Sequence, residues 1–264
     1  MKGIENALIP YIKERVVPGE SLYKNYRLDF MRYVFAGNFI KNKTVLDIAC
    51  GASYGSKYLH DCGAREVVGV DISQDVIEYA KKHYRAKNLD FICMDATRLG
   101  LEDNIFDVIC SFDTIEHINA TAFLSEIRKV LKSSGTFIVS TPAKEIHSRY
   151  SYKPVNPFHL KEFSQSEFRG ILKHWFADVI LYGQRFSIIS NAYSLFPGGS
   201  RIAYFIDLRL LRLLDRFRRG KLEHEAVQTQ SIMKGHKDRV MPLRRTSFLK
   251  PSSIVAVCRS DRGN

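Results

Sequence analysis

The chain has 264 residues, 45% hydrophobic and 26% charged, which suits one large domain with a packed core. It has no run of about 18 apolar residues, so a membrane-spanning helix is excluded. Its five cysteines, Cys50, Cys62, Cys93, Cys110 and Cys258, form no CxxC pair, which argues against a structural zinc site and for a reducing, cytoplasmic setting. The formal net charge is +12, and residues 185–250 hold 14 Lys/Arg against 5 Asp/Glu. A basic surface of this kind attracts nucleic acid, anionic lipid or a phosphorylated substrate, or serves only as a solvated face.

The first stretch carries Glu5 and Glu14 and lacks a clean apolar block with a cleavage site, so it is expected to be mature protein and not a signal peptide. Leu22, Tyr26, Phe30, Tyr33 and Val34 recur at helical spacing, and residues 1–43 are expected to form an N-terminal helical cap. From residue 44 short apolar runs follow one another: 44–49, 67–72, 89–94, 106–112 and 136–141. Helical patterns lie between them at 55–62, 74–86 and 121–132. Strands apolar on both faces alternating with helices predict an α/β fold, a Rossmann-like and mostly parallel sheet.

After Pro142 the polar stretch 143–163 reads as a loop. Ser164 and Glu167 then have capping-box spacing for a helix to about His174. Strands are expected at 176–184 and 252–259. The core is thus 44–184 with 251–260, and 185–250 is a basic insertion before the last strand. Within it Arg209, Arg212, Arg216 and Arg219 form a stripe opposite Ile206, Leu210, Leu213, Leu214 and Phe217. Such a helix suits a membrane surface or an anionic substrate, and equally a Leu face packed on the domain.

The strongest chemical signal is VLDIACGASYGSKYL at 45–59. A strand ends at Asp47, a turn holds Gly51 and Gly55, and a helix begins. Glycines in such a turn let the backbone approach a ligand closely. A dinucleotide site would want GxGxxG and a pyrophosphate at the helix start. Asp47 would repel a pyrophosphate and suit an ammonium group, which favours a cationic ligand such as S-adenosylmethionine. Asp71 ends the second strand, placed for both ribose hydroxyls, and Asp95 ends the third, placed for an adenine amino group. Asp113 ends the fourth. Four acids at the carboxyl edge of one sheet mark the crevice where open α/β sheets bind ligands.

These motifs resemble those of the class I S-adenosylmethionine-dependent methyltransferases, in the broad type 11 sense, over about 44–142. LDIACGASYGS is similar to their first motif, with Ser53 in place of a glycine. Asp71 matches the ribose-binding acid, Asp95-Ala96 the adenine-binding pair, and LKSSGTFIVSTP the helix-to-fifth-strand motif. The resemblance implies a seven-stranded sheet with an antiparallel last strand. It also implies a donor site drawn from Asp47, Ala49, Gly51, Ser53, Gly55, Asp71, Ile72, Asp95, Ala96 and Ser111.

FDTIEHI, at 112–118, puts Asp113, Glu116 and His117 on one helical turn beside the donor, and His159 lies in the loop expected to fold over the same edge. The acid-x-x-Glu-His pattern with a distal His resembles the methyltransferases of small-RNA 2′-hydroxyls and, in part, the ubiquinone-pathway O-methyltransferases. That resemblance implies Mg²⁺ or another divalent cation held by Asp113, Glu116, His117 and His159, with Asp113 where Glu is usual. Without a cation, Glu116, His117 and His159 remain acid/base or positioning residues, or plain helix-start polar groups. His147, Arg149, Tyr150 and Tyr152 are lid candidates, with loop surface as the plainer alternative. The expected reaction is methyl transfer to oxygen of a sugar or other polyhydroxylated small molecule or glycan. RNA, through the basic segment, and a lipid-linked acceptor at the membrane surface stand as alternatives.

Overall fold

The computed structural model describes residues 23–148, 151, 153–186, 240–243 and 251–260. The arginine stripe and most of 185–250 lie outside them, as do Arg149, Tyr150 and Tyr152. Helix α1 (Tyr23–Ala36) runs into a 3-10 turn, Gly37–Phe39, and then the alternation begins: β1 (Thr44–Ile48), α2 (Tyr54–Asp61), β2 (Glu66–Asp71), α3 (Gln74–His83) and β3 (Leu89–Cys93). It continues with β4 (Phe106–Phe112), α4 (Ala120–Val130), β5 (Leu131–Pro142), the single turn α5 (Lys144–His147), α6 (Gln165–Trp175) and β6 (Asp178–Phe186). Two last strands, β7 (Met241–Pro242) and β8 (Pro251–Arg259), close the order.

The strands form one sheet in the order β3-β2-β1-β4-β5-β8-β6-β7. The first five are mutually parallel, and β8 enters antiparallel between β5 and β6. Seven strands thus take the expected arrangement. The eighth is a two-residue addition, with Met241 opposite Gly183 and Pro242 opposite Tyr182. Chain direction across the sheet reverses between β1 and β4, which opens a crevice at their carboxyl ends.

Alternation along each strand builds the two covering layers. Leu46, Ile48, Ile109, Phe137 and Val139 pack with Phe123 and Ile127 of α4 and Phe168 and Leu172 of α6. Val45, Val67, Val108, Cys110 and Ile138 face Tyr33 and Ala36 of α1, Leu59 of α2 and Ile77 and Ala80 of α3. All five cysteines are free thiols, and Cys50, Cys110 and Cys258 are buried. Among the described residues no helix is long and apolar enough to cross a membrane.

Three local expectations shift. Helix α3 stops at His83 rather than 86, where Tyr84 leaves helical geometry and its N–H caps the Ala80 carbonyl. Helix α4 stops at Val130, because Leu131 turns extended and already pairs with Phe106, so β5 is longer than 136–141. The stretch read as pure loop contains α5, and Ala143 bridges to Phe163. The expected capping box forms, with Ser164 and Glu167 reciprocally bonded on α6, and Asn119 adds an unforeseen cap on α4, accepting from the N–H groups of Thr121 and Ala122.

Candidate active site

A cavity of about 330 Å³ opens at the carboxyl ends of β1, β2 and β4 and the turn after β3, and α1 closes one side. Its floor is the loop after β1. Ala49, Gly51 and Ser53 all take positive φ, at 56°, 53° and 62°. Only glycine adopts this region without cost, and other L-residues lose roughly 1–2 kcal/mol there. Ala49 therefore stands, like Ser53, where a glycine would be relaxed. The loop holds its shape through the Cys50 N–H to Val70 O (3.0 Å), the Ser53 N–H to Cys50 O (2.9 Å) and the Gly51 N–H to Asp71 Oδ2 (3.0 Å).

Of the expected donor residues, Ala49, Gly51, Asp71, Ile72, Asp95 and Ala96 line this cavity. Asp71 is buried and fixed at both oxygens by the N–H groups of Gly51 and Ser73, each at 3.0 Å. Asp95 Oδ1 accepts from the Thr97 N–H at 2.8 Å and its hydroxyl at 2.7 Å, which holds the carboxyl below its usual range. Ile72, 64% exposed, together with Met94 and Ala96, gives an apolar wall for a flat ring.

Four others are placed elsewhere. Asp47, read as the ammonium partner, is fully buried, accepting from Ser56 Oγ (2.6 Å) and Tyr33 Oη (3.2 Å). Burial pushes its pKa up to about 7, against the pull of those hydrogen bonds. Gly55, read as making room for a ligand, makes room for Tyr33: a Cβ there would fall 2.0 Å from Tyr33 Cζ. Ser53 turns its buried hydroxyl back to the Gly51 carbonyl (3.2 Å). Ser111 lies fully buried in β4, opposite Ile48, off the cavity wall.

The acceptor edge follows β4. Asp113, at φ 48°, does reach the cavity wall, but its carboxylate is held elsewhere. Arg32 Nη1 donates to Oδ2 at 2.5 Å, and Ser140 Oγ donates to Oδ1 at 2.9 Å. Of the four residues expected to hold a cation, Asp113 thus stands apart from the other three, bound to Arg32 and Ser140. Glu116, His117 and His159 do come together, with one ligand atom of each within 4.8 Å of the others. Glu116 is fully buried and neither oxygen makes a hydrogen bond within ordinary geometry. Burial, then the charge of Asp113, pushes its pKa well above the carboxylate range.

The 156–161 loop is stitched to this turn through its backbone. The Leu160 and Lys161 N–H groups donate to the Glu116 carbonyl at 2.7 and 3.2 Å. His117 Nδ1 lies 3.1 Å from the Phe158 carbonyl, which can only accept, so Nδ1 carries the proton and Nε2 the lone pair. His159 Nδ1 lies 3.0 Å from Glu162 Oε1, and its Nε2 faces the Asn156 amide at 3.0 Å. His147, offered as a lid residue, is instead an anchor, with Nε2 3.0 Å from the Ser252 carbonyl.

Asp29 and Arg32 were not among the expected site residues. Arg32 is 4% exposed and is held by Asp29 (3.0 Å), Asp113, Gln184 Oε1 (2.9 Å) and Ser253 Oγ (3.1 Å). Asp29 lines the cavity, and burial pushes its carboxyl up to about 7, with Arg32 pulling it back. A signal was present: an Asp–Arg pair at i, i+3 interleaved with the apolar positions Phe30 and Tyr33.

Residues 46–139 match the methyltransferase-domain family. A probable S-adenosylmethionine-dependent methyltransferase of Mycolicibacterium smegmatis is 31% identical over 175 residues, 64% of this chain and 66% of that protein. The chain belongs to the class I S-adenosylmethionine-dependent methyltransferases. A ubiquinone biosynthesis O-methyltransferase of Pelagibacter ubique is 32% identical over 142 residues, 53% of this chain and 54% of that protein. This methyltransferase thus spans between about half and two thirds of the length of those relatives. An S-adenosylmethionine-dependent methyltransferase of Archaeoglobus fulgidus shares the fold at a TM-score of 0.53, with 18% identity, over 89% of this chain and 93% of that one.

Proposed function

We propose that the protein transfers the methyl group of S-adenosylmethionine to a hydroxyl oxygen of a sugar or other small polyhydroxylated acceptor. The observation that carries this reading is the Glu116–His117–His159 cluster beside the donor cavity, whose wall includes His117, Thr114 and Ile118. The relative named for ubiquinone biosynthesis, an O-methyltransferase, supports oxygen as the receiving atom. In the transfer an oxygen lone pair attacks the methyl carbon, the C–S bond breaks with its electrons going to sulfur, and S-adenosylhomocysteine leaves. The hydroxyl proton needs a base, and His117 Nε2 offers a lone pair because Nδ1 is committed to Phe158.

The same cluster fits a divalent cation. Glu116 is a buried carboxyl group with neither oxygen hydrogen-bonded within ordinary geometry, and His117 has its other nitrogen fixed by an oxygen acceptor, as metal-ligating histidines do; His159, with Nδ1 on Glu162, would exchange the Asn156 amide at Nε2 for the cation. A cation held by Glu116, His117 and His159 would lower the pKa of an acceptor hydroxyl bound to it. With Asp113 tied to Arg32, the set is richer in nitrogen than expected, which favours Mn²⁺, Fe²⁺ or Zn²⁺ over Mg²⁺. A second reading, a lipid-linked acceptor, is favoured by Phe158 and Leu160, which are 54% and 68% exposed on the loop beside the cluster.

The test is a radiolabelled methyl-transfer screen over polyols, catechols, a polyprenyl-linked sugar and short RNAs, each with and without EDTA. Transfer to a polyol is expected, lowered at least tenfold by EDTA and by Glu116→Gln, and restored to the wild type by Mn²⁺. Transfer to RNA alone would overturn the small-acceptor reading. Transfer indifferent to EDTA would remove the cation and leave His117 as the base.

A further inference from the structure

We propose that Glu162 is a positioning residue that commits His159 to present a lone pair at Nε2, and that Asn156 caps this lone pair until a divalent cation displaces it. The cation part rests on the cluster reading above, whereas the tautomer stands on hydrogen bonds alone.

The proton positions follow from a chain of bonds that starts at the backbone. The Phe158 N–H, which can only donate, lies 3.0 Å from Asn156 Oδ1. That fixes the amide with its oxygen on Phe158, so the donor Nδ2 is the atom 3.0 Å from His159 Nε2. Nε2 must accept, and so carries no proton. The ring proton then sits on Nδ1, 3.0 Å from Glu162 Oε1, which accepts the hydrogen bond.

The carboxyl group is placed for this bond and for little else. The Glu162 side chain is 2% exposed and that of His159 8%. Glu162 Oε2 is buried and makes no hydrogen bond of ordinary geometry. Burying a carboxyl group without a partner costs free energy, so the imidazole is what holds it there. The backbone on either side is pinned. The Lys161 N–H donates to the Glu116 carbonyl at 3.2 Å, and the Lys144 N–H to the Phe163 carbonyl at 3.0 Å. The His117 ring meets that of His159 at 81°, with 4.7 Å between centroids. His159 is thus held at both nitrogens and against a second imidazole.

The two partners of this ring act on a cation in opposite directions. A carboxylate on the far nitrogen fixes the ring and raises the basicity of the near one, and losing such a partner costs roughly 10–100-fold in metal affinity. The Asn156 amide competes for the same lone pair, so its bond must break before Nε2 can bind a cation. Residues needed only for the shape of the loop would weaken binding whichever of the two was changed.

Electron paramagnetic resonance, counting free Mn²⁺ as it is titrated into the full chain, reads the affinity. Glu162→Gln keeps the shape, removes the charge and is expected to weaken binding roughly tenfold. Asn156→Ser keeps an oxygen for the Phe158 N–H and withdraws the amide, and is expected to tighten binding about threefold. Long-range proton–nitrogen NMR of the cation-free wild type is expected to show the His159 proton on Nδ1. A proton on Nε2, weaker binding in Asn156→Ser, or unchanged binding in Glu162→Gln would each overturn the proposal. A wild type that binds no Mn²⁺ yet keeps the proton on Nδ1 would sink the cation reading and the Asn156 cap, and uphold only the tautomer set by Glu162.

Discussion

Arg32→Met is expected to lower the stability of the fold by about 3 kcal/mol, the largest loss from any single side chain of the site. Removing one member of a buried ion pair costs roughly 3–5 kcal/mol because the partner is left with an uncompensated charge. Here the lower end applies, since Asp29 and Asp113 keep 26% and 32% of their side-chain surface and are partly screened by water. The variant also strips the donor from Gln184 Oε1, on a fully buried residue, and from Ser253. Urea unfolding at neutral pH measures the loss. Arg32→Lys should recover only part of it, because an ammonium on a flexible stem cannot reproduce a planar fork that reaches α1, β6, β8 and the turn after β4 at once. A midpoint for Arg32→Met within experimental error of wild type would show that its contacts with Asp113, Gln184 and Ser253 do not hold α1 to the sheet.

Gly55→Ala carries the second large effect. Three Tyr33 ring carbons lie 2.0–2.3 Å from where the new Cβ would stand, and a six-membered ring has no flexible end to yield. Overpacking in a filled core costs typically 1–3 kcal/mol, and here relief means displacing Tyr33. That would break its hydrogen bond to Asp47 and its edge contacts with Tyr54 and Phe112, at 5.8 and 4.9 Å between centroids. A loss of about 3 kcal/mol is therefore expected. A double-mutant cycle identifies the cause: in a Tyr33→Ala background the same Gly55→Ala change should cost much less, since alanine propensity in a helix then works in its favour. Equal penalties in both backgrounds would assign the glycine some other purpose, including the close ligand approach read from the sequence.

The sheet was legible because its signals are local. Each strand from β1 to β5 is a short apolar run bounded by turn residues, and each gap holds a helix of ordinary length. The acids at the strand ends were legible too, since chain order and strand direction place them at one edge. What the sequence hid was orientation by one residue. Asp47 lies inside β1, on the same face as Val45, so it points into the layer of α1 and α2 and not off the end of the strand. Asp71 closes β2 and reaches the cavity. Periodicity could have separated the two, because Leu46 and Ile48 take the opposite face from Val45.

The partner of Asp113 could not be read locally. Arg32 lies 81 residues before Asp113 and 152 before Gln184, and no window of helical or strand length contains either pair. It pairs with Asp113, apart from Glu116, His117 and His159, which the 156–161 loop brings together through backbone hydrogen bonds to the Glu116 carbonyl. The left-handed geometry at Ala49 was hidden for a different reason: alanine gives no sign of positive φ, and glycine at the same place would have announced it.

Each role assigned to the cavity requires it to hold S-adenosylmethionine. Equilibrium dialysis of the full chain against S-adenosylmethionine labelled in its methyl group tests it most directly. The expected result is one saturable site per chain, emptied by excess S-adenosylhomocysteine and untouched by NAD. Absence of saturable binding at millimolar donor, or displacement by NAD in place of S-adenosylhomocysteine, would contradict it.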